Sequence, residues 1–170
     1  IHGSGLGSLP QVTPATEPSV QPAQWWSGLP VLAGQRVTLR ELRLSDAPNL
    51  FAELNVPEVR RYSWPPPPNV TAFEKFIEWT YGRRAAGKYI CYGIVPRDRQ
   101  DAWGVFELRS LQPNFFRGEL GFVVAPPYWG SGVFYEAARM LIDFAFNTVK
   151  VHRLEIRVQV DNERRIAAVE

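Results

Sequence analysis

Residues Gly118–Val133 read GELGFVVAPPYWGSGV, and this stretch decides the fold. Its first half, Glu119–Val124, has the composition of a short buried strand. Beyond the prolines and the glycines at 130 and 132, Phe134, Ala137, Ala138, Leu141, Phe144 and Ala145 recur at helical spacing. A strand that passes through a glycine turn into a helix gathers unpaired N–H groups and the positive end of the helix dipole at one point. Such a point suits phosphate. Gly130 and Gly132 let backbone approach an anion closely and permit positive φ. Taken alone, the pattern is equally that of a plain strand-to-helix turn. It is not the dinucleotide fingerprint, which needs a third glycine and a later acid, nor a P-loop, which needs Gly-Lys-Ser/Thr.

Downstream, Arg153–Val160 alternates cleanly. Leu154, Ile156, Val158 and Val160 point one way, and Arg153, Glu155, Arg157 and Gln159 point the other. The segment from Glu119 to Val160 is thus a strand–helix–strand crossover, and its two strands are expected to be parallel. Asn162 can cap a helix running to Glu170. Upstream, Tyr89–Val95 and Trp103–Arg109 read as strands, bounded by the turn-like PRDRQDA and SLQPNFFRG. Phe73, Phe76, Ile77 and Tyr81 predict a helix through about Arg84, after the stiff loop WPPPP at Trp64–Pro68. Ser45 is placed to cap a helix whose Ala47, Leu50, Phe51 and Leu54 share a face, and Arg36–Leu42, RVTLREL, alternates as a half-buried strand. The order is β-α-α-β-β-β-α-β-α, an α+β chain with a mixed sheet.

Composition narrows the function classes. The chain has 170 residues, 45% of them hydrophobic and 21% charged, which suits one globular domain. A formal net charge of +2 with interspersed Lys, Arg and acids gives no case for nucleic acid. No apolar run approaches the roughly 18 residues of a membrane span, and the N-terminus lacks the pattern of a signal peptide. Residues 1–29 are rich in Gly, Pro and Ser and read as an arm, or as a segment extraneous to the natural chain, with Trp25 and Trp26 able to dock it on the domain at 30–170. Cys91, the single cysteine, sits in the apolar run KYICYGIV and reads as a buried hydrophobe. The lack of any possible internal disulfide fits a reducing, cytoplasmic setting. No metal-ligand spacing is present.

The stretch ELGFVVAPPYWGSGVFYEA resembles the signature of GNAT N-acetyltransferases, in particular the RimJ/RimL-like group that acts on ribosomal-protein N-termini. The likeness extends from the first strand through VPEVRRYSWPPPP to HRLEIRVQVDNERR, over roughly residues 30–170. It implies the GNAT fold, a central mixed sheet with two splayed parallel strands flanked by helices, and acetyl-CoA as co-substrate without a metal. It also implies that Phe122, Val123 and Val124 offer backbone groups to the pantetheine arm, and that Trp129, Gly130, Ser131, Gly132 and Val133 cradle the pyrophosphate. Asn162, before the last helix, is implied as a cofactor contact. Three positions depart from the family pattern: Pro127 replaces a Gln or Arg, Arg165 replaces a Ser and could reach a CoA phosphate, and Val169 replaces a Tyr acid. The pattern also implies a Gly-Phe and two further strands after the last helix, so an ending at Glu170 leaves the sheet short of them.

Acyl transfer to an amine needs a neutral amine. A lysine side chain, with a pKa of about 10.4, is only about 0.1% neutral near pH 7.4, whereas an α-amine at about 7.7–8.0 is roughly 20–30% neutral. An α-amino acceptor therefore needs only a modest base. Glu119, on the strand leading to the turn, and Glu155, on the polar face of the neighbouring strand, are the candidates; each could equally pair with an arginine such as Arg153 or Arg157. Ser131 is expected to act through its N–H, His152 to be structural, and Glu136 to support the first turn of its helix. Among Tyr62, Trp64, Phe115 and Phe116, Trp64 is the candidate for the acceptor slot. The expected reaction is direct acetyl transfer to a protein or peptide N-terminal α-amine, on a ribosomal or other protein. A small-amine acetyltransferase (antibiotic, polyamine or amino acid) and a non-catalytic acyl-CoA-binding module are the alternatives. A homodimer is left open.

Overall fold

The computed structural model describes residues 24–61 and 66–156. Its centre is one six-stranded sheet whose strands lie in chain order. β1 (Leu32–Ala33), β2 (Val37–Glu41), β3 (Tyr89–Pro96), β4 (Gly104–Ser110) and β5 (Arg117–Val124) pair antiparallel, and β6 (Arg153–Ile156) joins β5 in parallel. The parallel pair is joined across helix α4 (Val133–Phe144), as the strand–helix–strand pattern requires. Three helices, α1 (Ala47–Leu54), α2 (Pro57–Arg60) and α3 (Val70–Ala85), separate β2 from β3.

Alternation along the strands divides the core into two layers. On one side Leu39, Ile90, Tyr92, Ile94, Phe106, Leu108 and Leu120 meet Ala137, Leu141 and Phe144 of α4. Tyr92 and Phe144 meet edge to face at 5.6 Å, a geometry worth about 0.5–1.5 kcal/mol beyond the area it buries. On the other side Tyr89, Cys91, Val95, Val105 and Val123 meet Leu50 and Leu54 of α1 and Phe73 and Ile77 of α3. Trp25 docks the end of the arm onto the first layer, edge to face with Phe115 at 5.5 Å.

Several local expectations are corrected. Ser45 is exposed and does not cap α1. Asp46, fully buried, holds that corner instead. Its carboxylate accepts the Arg43 and Ala102 N–H groups and pairs in a fork with Arg40, both oxygens at 2.8 Å. β5 begins at Arg117, two residues before the expected start, because Gly118 and Arg117 continue the ladder opposite Ser110 and Arg153. β1 and α2, of two and four residues, are too short to carry a hydrophobic period, and periodicity does not predict them. No helix among the described residues is long and apolar enough to cross a membrane.

Candidate active site

The site begins where β5 ends. Trp129 donates its indole N–H to the Val124 carbonyl at 2.7 Å, which folds the prolyl turn Pro126–Tyr128 back on the strand. Ser131 completes the turn locally. Its hydroxyl donates to Tyr128 O at 2.6 Å and accepts the Val133 N–H at 3.3 Å, while its own N–H points to Tyr128 O. Gly130 and Gly132 carry φ of +73° and +86°, conformations open to glycine at no steric cost. Among the described residues the N–H groups of these two glycines meet no backbone acceptor, and space around the Cβ position of Gly130 is open for 4 Å. Two donors without a backbone acceptor thus lie beside the first turn of a twelve-residue helix.

A second element adds positive charge to the turn. Glu136, in the first turn of α4, accepts the backbone N–H groups of Arg36 at 2.8 Å and Val37 at 3.1 Å. This clamp ties the β1–β2 connection to the helix. It also requires Gly34, because a Cβ there would lie 2.0 Å from the Glu136 Oε1. The clamp brings the Arg36 guanidinium over the glycine turn, where Nη1 donates to Ser131 O at 3.0 Å and lies 3.0 Å from the Cβ position of Gly132. Pro127, exposed and without a donor, offers nothing comparable. Sequence reasoning misses Arg36, since its contact spans ninety-five positions.

A row of charges crosses the sheet on the α1/α3 side. The register sets Tyr89 opposite Arg109, Arg109 opposite Glu119, and Glu119 opposite Glu155. The two carboxylates expected from the sequence are therefore cross-strand neighbours. Glu155 accepts from Arg117 Nε at 3.0 Å and lies 3.5 Å from Arg153 Nε, while Glu119 faces Arg109 at 4.0 Å. One step along the sheet, Cys91, Glu107 and Gly121 form a parallel row. Glu107, half-buried, escapes notice in the sequence because a lone acid in WGVFELR reads as a solvent-facing strand position. Burial raises its carboxyl pKa above the ordinary range, opposed by the hydrogen bond from Tyr89 and the charge of Arg109. Burial likewise raises Cys91 and Tyr89, so both stay neutral.

Phe122 and Val123 are half-buried and Val124 is buried; the described parallel ladder stops just before them, at Leu120 opposite Ile156. Trp129, Gly130, Ser131, Gly132 and Val133 form the turn itself. His152 is exposed and stacks on Phe116 with ring centres 4.6 Å apart. Trp64, Asn162 and Arg165, with Tyr62 and Val169, lie outside the described residues. No group of three metal-ligating side chains occurs among the described residues.

A family model for the acetyltransferase (GNAT) domain matches residues 36–170. The chain belongs to the GNAT acetyltransferases. It is 26% identical over 129 residues to the uncharacterized N-acetyltransferase p20 of Bacillus licheniformis, covering 75% of this chain and 72% of that protein. It is 26% identical over 132 residues to the spermidine N(1)-acetyltransferase of Escherichia coli, covering 76% and 68%. Among solved structures, the ribosomal-protein-S5-alanine acetyltransferase of Vibrio fischeri superposes with a TM-score of 0.72 at 16% identity, over 82% of this chain and 80% of that one. That likeness is one of fold. The GNAT domain makes this an N-acetyltransferase of a family that uses acetyl-CoA, and the glycine turn with the Arg36 guanidinium has the donors and positive charge that a pyrophosphate needs.

Proposed function

We propose that this GNAT enzyme acetylates the α-amine of a protein or peptide N-terminus in the cytoplasm. The observation that carries the reading is the charge balance of the row that crosses β4, β5 and β6. Glu119 and Glu155 are interleaved with Arg109, Arg117 and Arg153, so the row is not the anionic groove that a polycation would need. An acceptor of low charge whose amine is already partly neutral suits it.

In this reading Gly130, Gly132 and Arg36 hold the pyrophosphate, with Trp129, Ser131 and Val133 keeping the turn in shape. Phe122, Val123 and Val124 offer strand backbone to the pantetheine arm, and Asn162 and Arg165 add contacts from beyond the parallel pair. Trp64 borders the acceptor. The bound thioester supplies an activated acyl group and a thiol leaving group. Glu119 attracts the ammonium form of the acceptor and orients it, whereas Glu155, gripped by two guanidinium groups, orders Arg117 across the parallel strands.

The second reading is a small-amine acetyltransferase, and the likeness to a spermidine acetyltransferase favours it. Thiol release from acetyl-CoA, measured with free N-terminal peptides, α-blocked lysine peptides and spermidine, separates the two. Release with free N-termini alone is expected. A preference for spermidine would transfer the assignment to the small-amine reading. CoA binding without turnover of any amine would remove both and leave an acyl-CoA-binding module.

A further inference from the structure

We propose that Glu107 is the proton acceptor of the acetyl transfer, a role distinct from that of Glu119 and one that rests on the acetyltransferase reading above. Glu107 stands on β4 directly opposite Gly121, the residue just before Phe122 on β5. Because Gly121 has no side chain, the carboxylate lies over bare backbone, with Oε2 3.5 Å from where a Cβ would be. A larger residue at 121 would cover that oxygen. The carboxylate thus sits beside the strand segment that the family likeness assigns to the pantetheine arm, on the same face as Glu119.

Its surroundings differ from those of the other two acids. Glu119 and Glu155 both lie against guanidinium groups. Glu107 instead takes a hydrogen bond from the neutral Tyr89 hydroxyl, with Cys91 beside it on β3 and Arg109 along its own strand. From α3 the same layer presents Phe73 and Ile77, which carry no charge. Burial raises the Glu107 carboxyl pKa, bringing it nearer that of an α-ammonium than an ordinary glutamate stands. Tyr89 in turn packs against Trp79, half-exposed on α3, with ring centres 5.1 Å apart, so the hydroxyl that serves the carboxylate is held by an aromatic neighbour.

The proton inventory closes simply. The acceptor R–NH3+ gives one proton to the Glu107 carboxylate, and the free amine attacks the thioester carbonyl. The C–N bond forms, the C–S bond breaks, and the amine's second proton leaves with the CoA thiol. Glu107 then releases its proton to water.

The test compares the full-length protein with Glu107→Gln, Glu119→Gln and Tyr89→Phe. For Glu107→Gln, kcat/KM for the acceptor should fall about 100-fold or more, in the range of general base catalysis, and the part of its pH rise that follows the carboxyl should vanish, leaving only that of the acceptor amine. Calorimetric CoA affinity should stay within about twofold. Glu119→Gln should raise the acceptor KM and keep the pH rise. Tyr89→Phe removes the hydrogen bond that favours the carboxylate, so the rise should move to higher pH. Independently of turnover, the infrared carbonyl band of a protonated carboxyl should be absent from Glu107→Gln. A Glu107→Gln profile that superimposes on the unaltered protein overturns the proposal, as does an unmoved profile in Tyr89→Phe should Glu107→Gln fail to fold. A protein that binds CoA but acetylates no amine defeats the acetyltransferase reading itself, a different result from an active enzyme indifferent to Glu107.

Discussion

Asp46 and Glu107 are two carboxylates withdrawn from water on the same side of one sheet, and their environments push them in opposite directions. Burial favours the neutral form of both. At Asp46 that tendency is outweighed by the Arg40 fork and by the N–H groups of Arg43 and Ala102, which together hold its pKa below the usual aspartate value. At Glu107 burial prevails over a single tyrosine hydroxyl and a more distant arginine. The difference separates an anchor from a titratable group. A carboxylate surrounded by donors is fixed in one protonation state and holds the β2–α1 corner to the start of β4. One with few donors titrates above the ordinary glutamate range.

The contrast can be broken first at the anchor. Asp46→Ala leaves Arg40 buried at 8% exposure without its carboxylate, and should cost about 3–5 kcal/mol in urea unfolding. A loss under about 1 kcal/mol would mean that Asp46 is no anchor. Glu136→Ala, which orphans the Arg36 and Val37 N–H groups, should cost about 1–3 kcal/mol and loosen CoA binding in calorimetry.

The pH dependence of unfolding then sharpens the comparison through its sign. The lowered pKa of Asp46 means that its contribution is present above the ordinary aspartate pKa and is lost as pH falls through the folded value. The raised pKa of Glu107 means that the folded state holds the proton longer, so stability falls as pH climbs from the ordinary glutamate range through the folded value. Glu107→Gln should therefore gain on the unaltered protein as pH rises, by at most about 1.4 kcal/mol per pH unit in that window. A gain at low pH instead would reverse the assignment. At the weak end, Glu155→Gln disrupts a pair that water reaches, and should change stability by less than about 1 kcal/mol. Arg36→Ala should leave stability within about 0.5 kcal/mol while weakening CoA about fivefold.

What the sequence could reveal divides along the same line. Periodicity carried RVTLREL into β2, the Phe73-to-Tyr81 spacing into α3, and the crossover into a parallel β5–β6 pair, because each is a local repeat set by backbone geometry. The glycine turn was legible for the same reason: both of its left-handed residues are glycines. Asp46 was hidden because its partners Arg40 and Ala102 come from other elements, so the neighbouring Ser45 looked the better cap. Glu107 was hidden because its meaning depends on what lies across the ladder, a bare Gly121 and a buried Tyr89. The reach of Arg36 across the molecule follows from the Glu136 clamp, which no local pattern encodes.

That clamp has a consequence for how variation in this protein will read. Gly34 is no part of the glycine turn, yet a methyl there would displace the Glu136 carboxylate and with it the seat of Arg36. In a mutational scan scored by acetyl-CoA saturation, Gly34 should register beside the glycines of the turn, as a remote dial on cofactor affinity that a contact-based definition of the site would miss.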